Sequence, residues 1–320
     1  MPRTPIDITV PDLTGRRAVV TGGSDGIGLA LATRLAGAGA ELVLPVRNVR
    51  KGQAAVARIV DRHPAADVSL QELDLSSLGS VAALGATLRA EDRPVHLLIN
   101  NAGVMTPPDR QTTADGIEIQ FGTNHLGHVA LVAELLPLLR AGRARVTSQI
   151  SLAAARGTVN WADPNWERSY DGMRAYRQSK IALGLFAVEL QRRSEAGGWG
   201  ITSTLSHPGV APTSLLSARP EVGRARDTLQ VRLIRALSSR RILVGTPATA
   251  ALPALMAATD PRVAGGRLVG PGGPGHLGGR PAEQSQYRPL RSTEDAARAW
   301  QLSEQLIAAA TAGRAATLPG

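Results

Sequence analysis

Tyr176 and Lys180 stand one helical turn apart in the run Tyr176-Arg-Gln-Ser-Lys180. A tyrosine phenol titrates near pH ~10 and is a poor base at neutral pH, but an ammonium on the same helix face favours its phenolate. Lowering the phenol by roughly three in pKa takes ~4 kcal/mol, within reach of one close, partly desolvated positive charge together with the positive ring of a bound nicotinamide. The chemistry such a pair serves is proton transfer to or from an oxygen. The same spacing is common on ordinary helix faces, so the pair means little without company.

Company comes near the N-terminus. Gly22, Gly26 and Gly28 are spaced through Ala18-Val-Val-Thr-Gly-Gly-Ser-Asp-Gly-Ile-Gly28, with Ser24 and Ile27 between them. A pyrophosphate needs close backbone approach and free N–H groups at a helix start, and glycine permits both. The turn is therefore expected to hold a nicotinamide dinucleotide. Enzymes that use NAD usually place a carboxylate at the end of the second strand. Here that position reads Pro45-Val-Arg-Asn48, and Arg47 can pair a 2′-phosphate with two hydrogen bonds, with Lys51 adding charge. NADP is the expected cofactor. NAD stays open, because Asp25 in the glycine turn would repel a phosphate.

Both constellations need a scaffold that brings them together. Strands are predicted at Arg17–Thr21, Glu41–Val46, Val68–Leu73, His96–Asn100, Arg145–Ile150 and Ile201–Ser206. Helices are predicted at Ile27–Ala38, Val49–Arg62, Ser77–Ala90, Ile117–Leu139, Arg174–Arg193, Pro247–Ala258 and Ser292–Ala312. The strands are continuous apolar runs, the pattern of strands buried on both faces. The expected fold is α/β: a doubly wound, Rossmann-type parallel sheet with helices on both faces. One domain is expected over residues 1–320, with an arginine-rich, lid-like segment at about 213–241 and a C-terminal extension at about 270–320. Gly265–Pro281, rich in glycine and proline, reads as an irregular connection.

Composition narrows the function. Cysteine is absent, which removes thiolate and disulfide chemistry, and a reducing cytoplasm fits. No apolar run reaches membrane-spanning length, and Met1-Pro-Arg-Thr-Pro5 does not resemble a secretory leader, so a soluble protein is expected. The net charge of +10 raises nucleic-acid binding, but aromatics are only 3%, too few for stacking platforms. No specific nucleic-acid partner is expected, and the positive charge suits an anionic cofactor. His125 and His128 share a helix face, yet no carboxylate or thiolate cluster accompanies them, so packed histidines are expected rather than metal ligands.

Several further segments fall into a known order. Thr21–Gly28 has the form T-G-x-x-x-G-x-G, and Asn100-Asn-Ala-Gly103 follows the fourth strand. Asn124 lies in Thr-Asn-His-Leu-Gly127. Ser151 precedes Tyr176 and Lys180, and His207-Pro-Gly-Val210 with Thr213 follows the sixth strand. Over roughly residues 15–270 the chain resembles the short-chain dehydrogenase/reductase family. The resemblance implies interconversion of a carbonyl and an alcohol by hydride transfer. It implies that Ser151 holds the substrate oxygen, Tyr176 passes the proton, and Lys180 binds the nicotinamide ribose and biases Tyr176 toward phenolate. Asn124 would position a water linking Lys180 to solvent. The cofactor would contact Gly22, Ser24, Gly26, Ile27, Gly28, Arg47, Asn48, Asp74, Leu75, Asn101, Ala102, Gly103, Tyr176, Lys180, Pro208, Gly209, Val210 and Thr213. Asp74 is equally readable as a residue of a helix N-terminal region. The family usually carries two serines where this chain has Ile150-Ser151, which leaves Ser148 competing with Ser151.

The insert Trp161-Ala-Asp-Pro-Asn-Trp-Glu-Arg-Ser-Tyr170 and the tail around Gly272–Pro281 and Trp300 resemble the retinol dehydrogenase-like and protochlorophyllide reductase-like branch. That implies a fairly large small-molecule carbonyl or alcohol substrate. Trp161, Trp166 and Tyr170 either line its pocket or pack the insert against the body. A homo-oligomer is compatible with the sequence. The competing function is a cofactor-binding sensor of the same fold without turnover.

Overall fold

The computed structural model describes residues 6–105, 107–212 and 244–317. The lid-like segment and Thr213 lie outside the described residues. Among the described residues eight strands form one sheet in the order β3-β2-β1-β4-β5-β6-β7-β8. They are β1 (Arg17–Val20), β2 (Glu41–Val46), β3 (Val68–Glu72), β4 (Leu97–Asn100), β5 (Arg145–Gln149), β6 (Thr202–Ser206), β7 (Leu268–Pro271) and β8 (Pro281–Gln284). β1 to β7 are parallel, and β8 returns antiparallel to β7. Val19 of β1 pairs with Val43 of β2 on one side and Leu98 of β4 on the other. The chain thus winds outward both ways from β1, and the ends of β1 and β4 flank the crevice where such sheets bind ligands.

The α-helices among the described residues are α1 (Gly26–Gly37), α2 (Val49–Arg62), α3 (Leu78–Ala90), α4 (Ile119–Phe121), α5 (Gly127–Ala141), α6 (Gly172–Gly197), α7 (Pro247–Thr259) and α8 (Thr293–Thr317). Val19 belongs to the core formed with α3, α5, α6 and α8, while Ala18 and Val20 belong to that formed with α1, α2 and α7. All three are wholly buried, which is why β1 reads as an unbroken apolar run. Side chains set the helix starts by satisfying free N–H groups: Asp25 before α1, Asn48 before α2 and Ser77 before α3. Asp171 accepts from Met173 and Arg174 N–H, so α6 starts ahead of the predicted Arg174. Thr246 and Thr249 form a capping box at α7, with Pro247 in its first turn. Among the described residues no helix is long and apolar enough to cross a membrane.

Two segments differ from expectation. The predicted helix Ile117–Leu139 is three pieces: α4, a π-helix at Gly122–Leu126, and α5. Buried Glu118 starts α4 by accepting from Gln120 and Phe121 N–H. The looser π turn then lies outside what a regular helical pattern can reveal. Gly265–Pro281, expected to be irregular, supplies β7 and the first residue of β8. Leu268 and Val269 are too short an apolar run to read as a strand; pairing with Leu205 and Ser206 of β6 creates it. β8 lies at the sheet edge, where proline is tolerated.

Candidate active site

The glycine turn joins β1 to α1. Gly22 sits at φ +67°, which glycine adopts without strain, and a Cβ on it would lie 3.0 Å from Ala102 Cα. A Cβ on Gly28 would stand 2.1 Å from the Gly22 carbonyl oxygen. These positions exclude side chains and leave backbone N–H groups at the start of α1 open to an anion. Beside them lies a cavity of about 680 Å³, bordered by Gly22, Ser24, Asp25, Arg47, Asn48, Lys51, Asp74, Leu75, Ala102 and Gly103. A second cavity of about 400 Å³ shares Gly22, Ser24, Asp25, Ala102 and Gly103 with it. This one adds Gly26, Ile27, Gly28, Asn101, Ser151, Tyr176, Lys180, Pro208, Gly209 and Val210. The predicted cofactor residues within the described chain all line one or both spaces. A cradle that a Cβ would fill, between two joined cavities, fits an extended dinucleotide with its diphosphate at α1.

At the far wall, Arg47 and Lys51 are exposed. Asp25 accepts from Gly26 N at 2.7 Å and so caps α1. Asn48 accepts from Lys51 N at 2.9 Å and caps α2. Asp74 accepts from Ser76 N at 2.9 Å and from the Ser76 hydroxyl at 2.6 Å, so it shapes the entry to α3 while bordering the cavity.

Tyr176 and Lys180 occupy successive turns of α6, each 4% exposed. The Ser151 side chain lies beside the Tyr176 phenol, and both border the smaller cavity. Ser148 is wholly buried in β5, where Asn100 Nδ2 donates to it at 3.4 Å. Ser151, not Ser148, is thus the serine brought to Tyr176. Lys180 Nζ donates to the Gln149 carbonyl at 3.0 Å. Burial lowers Lys180 from the ordinary 10.5 to about 8. Burial also pushes the Tyr176 phenol up, with the neighbouring Ser151 hydroxyl pulling it down less strongly. Loss of water around the phenol is the larger of these two influences.

Asn124 lines neither cavity. Its Oδ1 accepts from Val104 N at 2.7 Å, and its Nδ2 donates to Val104 O and Ser179 Oγ, both at 2.9 Å. The side chain braces the loop after β4 against α6. The insert aromatics also pack inward rather than bordering the cavities. Trp166 is 4% exposed, Trp161 packs on the core, and the Tyr170 hydroxyl donates to Glu118 Oε1 at 3.3 Å. The apolar wall near Tyr176 comes instead from Met105, Ile150, Leu152, Ala153, Met173 and Ala211. These escaped sequence reading because most lie in connections that carry no periodicity. Gln149 escaped too; its Nε2 donates to Asn101 Oδ1 at 2.8 Å, joining β5 to the loop after β4. Its signal was a large polar residue ending an otherwise buried strand. His125 and His128 are wholly buried. Among the described residues no group of three or more His, Cys, Asp or Glu is placed to hold a metal.

Residues 16–222 match the sequence profile of the short chain dehydrogenases. The chain is 42% identical to retinol dehydrogenase 13 of Homo sapiens over 213 residues, which is 66% of this chain and 62% of that protein. It is 41% identical to polyprenol dehydrogenase of Mus musculus over 211 residues, 64% of this chain and 63% of that protein. The matches therefore span less than two thirds of these relatives' length. Among solved structures, an uncharacterized protein from Mycobacterium paratuberculosis superposes with a TM-score of 0.72 at 34% identity, over 93% of this chain and 95% of that one. An NAD(P)-dependent gluconate 5-dehydrogenase from Beutenbergia cavernae, solved with NADP, superposes with a TM-score of 0.57 at 26% identity, over 78% of this chain and 91% of that one. The chain belongs to the short-chain dehydrogenase/reductase family.

Proposed function

We propose that this protein is an oxidoreductase that interconverts a carbonyl and an alcohol, with Tyr176 passing the proton and NADP preferred over NAD. One observation carries the reading: Ser151, Tyr176 and Lys180 border one cavity that runs into the glycine cradle. When bound, the nicotinamide cofactor supplies or removes a hydride at the substrate carbon. The chain's own residues bind, orient and move protons. Gly22, Gly26 and Gly28 admit the diphosphate. Lys180 commits one of its three N–H donors to the Gln149 carbonyl and has the others for ribose hydroxyls. A phenol held above its ordinary value is protonated at neutral pH, the form that donates to a developing alkoxide. Ser151 donates to the substrate oxygen and fixes that oxygen within reach of the phenol.

Arg47 and Lys51 on the exposed wall support the NADP preference, and Asp25 is already engaged in capping α1. The wall of Met105, Ile150, Leu152 and Met173 supports a sizeable, largely apolar substrate. The names of the retinol and polyprenol dehydrogenases that the chain resembles agree with that class. A panel of aldehydes, ketones and alcohols followed by NADPH absorbance tests the reading. Turnover of at least one bulky carbonyl is expected, with a lower KM for NADPH than for NADH. Tight NADPH binding without turnover across the panel supports the sensor instead, and a lower KM for NADH overturns the NADP preference.

A further inference from the structure

Thr21, the residue after β1, has a hydroxyl whose bonds can be counted. Its oxygen accepts from Asn101 N at 2.9 Å and from Ala102 N at 3.0 Å. Both lone pairs are then filled, and the hydroxyl has only its proton left to give. His128 Nε2 lies 3.0 Å away, closer than the alternative Ile99 carbonyl at 3.3 Å. On the other side of the ring, His128 Nδ1 lies 3.0 Å from the Asn124 carbonyl oxygen. A carbonyl can only accept, so Nδ1 carries the hydrogen. In a neutral imidazole Nε2 is then bare and takes the proton of Thr21. All three atoms agree on a single tautomer.

The result is a closed ring of bonds. It runs from the N–H groups of Asn101 and Ala102 through Thr21, His128 and Asn124, and the Asn124 side chain returns it to Val104 of the same loop. A branch from Asn124 reaches Ser179, the neighbour of Lys180 on α6. Ala102 and Gly103, inside the ring, border both cavities. We propose that His128, locked as the neutral Nδ1–H tautomer, is a positioning residue that holds the cofactor-facing loop 101–104 in register with the Tyr176–Lys180 face of α6. Imidazolium would put a second N–H against a hydroxyl whose lone pairs are both taken. His128 is wholly buried, with Lys180 on α6 and His125 in the π-helix as the titratable groups around it. Burial, and then the Lys180 charge, oppose the Asn124 hydrogen bond and hold the ring low, at about 4.

This inference rests on reading the loop as part of the cofactor cradle, but its first test needs no turnover. Side-chain nitrogen NMR of the free wild-type protein should show His128 protonated at Nδ1 alone and unchanged between pH ~5.5 and ~8. A proton on Nε2, or titration near the ordinary histidine value, overturns the proposal whether or not the enzyme turns over. The second test is NADPH affinity by fluorescence titration. His128→Phe keeps a ring but makes neither bond, and should weaken NADPH binding about tenfold. His128→Gln, whose amide oxygen can accept from Thr21, should recover most of that loss. A folded His128→Phe variant with wild-type NADPH affinity overturns the positioning role.

Discussion

At the Arg47 end of the crevice the charges stand in water, whereas at the Tyr176 end they are buried. Arg47, Lys51 and Asp25 are exposed along the larger cavity. Tyr176 and Lys180 are each 4% exposed, and their neighbours along the smaller cavity include Met105, Ile150, Leu152 and Met173. Exposed charges are screened by salt and reorient at small cost, so each discriminates between ligands by ~1 kcal/mol or less. Buried ones cannot relax into water: their proton affinities move, and a substitution there alters chemistry and stability together. One end of the site is tuned by ligand recognition, the other by desolvation.

The largest effect should come from Tyr176→Phe, which leaves the ring and removes the proton donor. It should cut kcat by ~10²–10⁴ while NADPH affinity, by fluorescence titration, stays within about threefold. An equal loss in binding would break the distinction between the two ends. Next, Ser151→Ala should cut kcat by ~10²–10³ with the fold intact, and Ser148→Ala should leave turnover within about threefold. Full activity of Ser151→Ala would overturn its assignment.

Lys180→Met sharpens the comparison through stability. The folded value of about 8 lies below the ordinary 10.5, so between those pH values the unfolded chain holds more protons than the folded one. The penalty for burying the ammonium is therefore complete below pH 8 and disappears as pH rises to 10.5. In denaturant melts at pH 7, Lys180→Met should be more stable than wild type by up to ~3 kcal/mol, although inactive. That gain should vanish above pH 10.5. A variant less stable than wild type at pH 7 would mean that the Gln149 bond outweighs burial. The smallest effect belongs to the exposed end. Arg47→Ala should raise KM for NADPH about fivefold, leave KM for NADH nearly unchanged, and lose its effect as salt is added. A loss that salt does not touch would show that Arg47 is desolvated when the ligand is bound.

β2 and α2 coincide with their predicted bounds, because each is a contiguous apolar or amphipathic segment with its cap beside it. The glycine turn was equally legible: strand end, glycines and helix start follow one another in a dozen residues. β7 was not, since Leu268 and Val269 become a strand only against β6. Nor were the bonds of Asn124 and the packing of Trp161, which depend on partners far along the chain.

By itself the sequence determined the glycine cradle and the pairing of Tyr176 with Lys180, because a tight turn and the rise of a helix place those residues wherever the segment goes. Only the tertiary structure decided that Ser151 rather than Ser148 stands beside the phenol, and that the phenol is buried. It alone also joined Thr21 to His128, more than a hundred residues apart. Desolvation and hydrogen bonds between distant residues are set by the packing around each group, and no local pattern of residues carries that information.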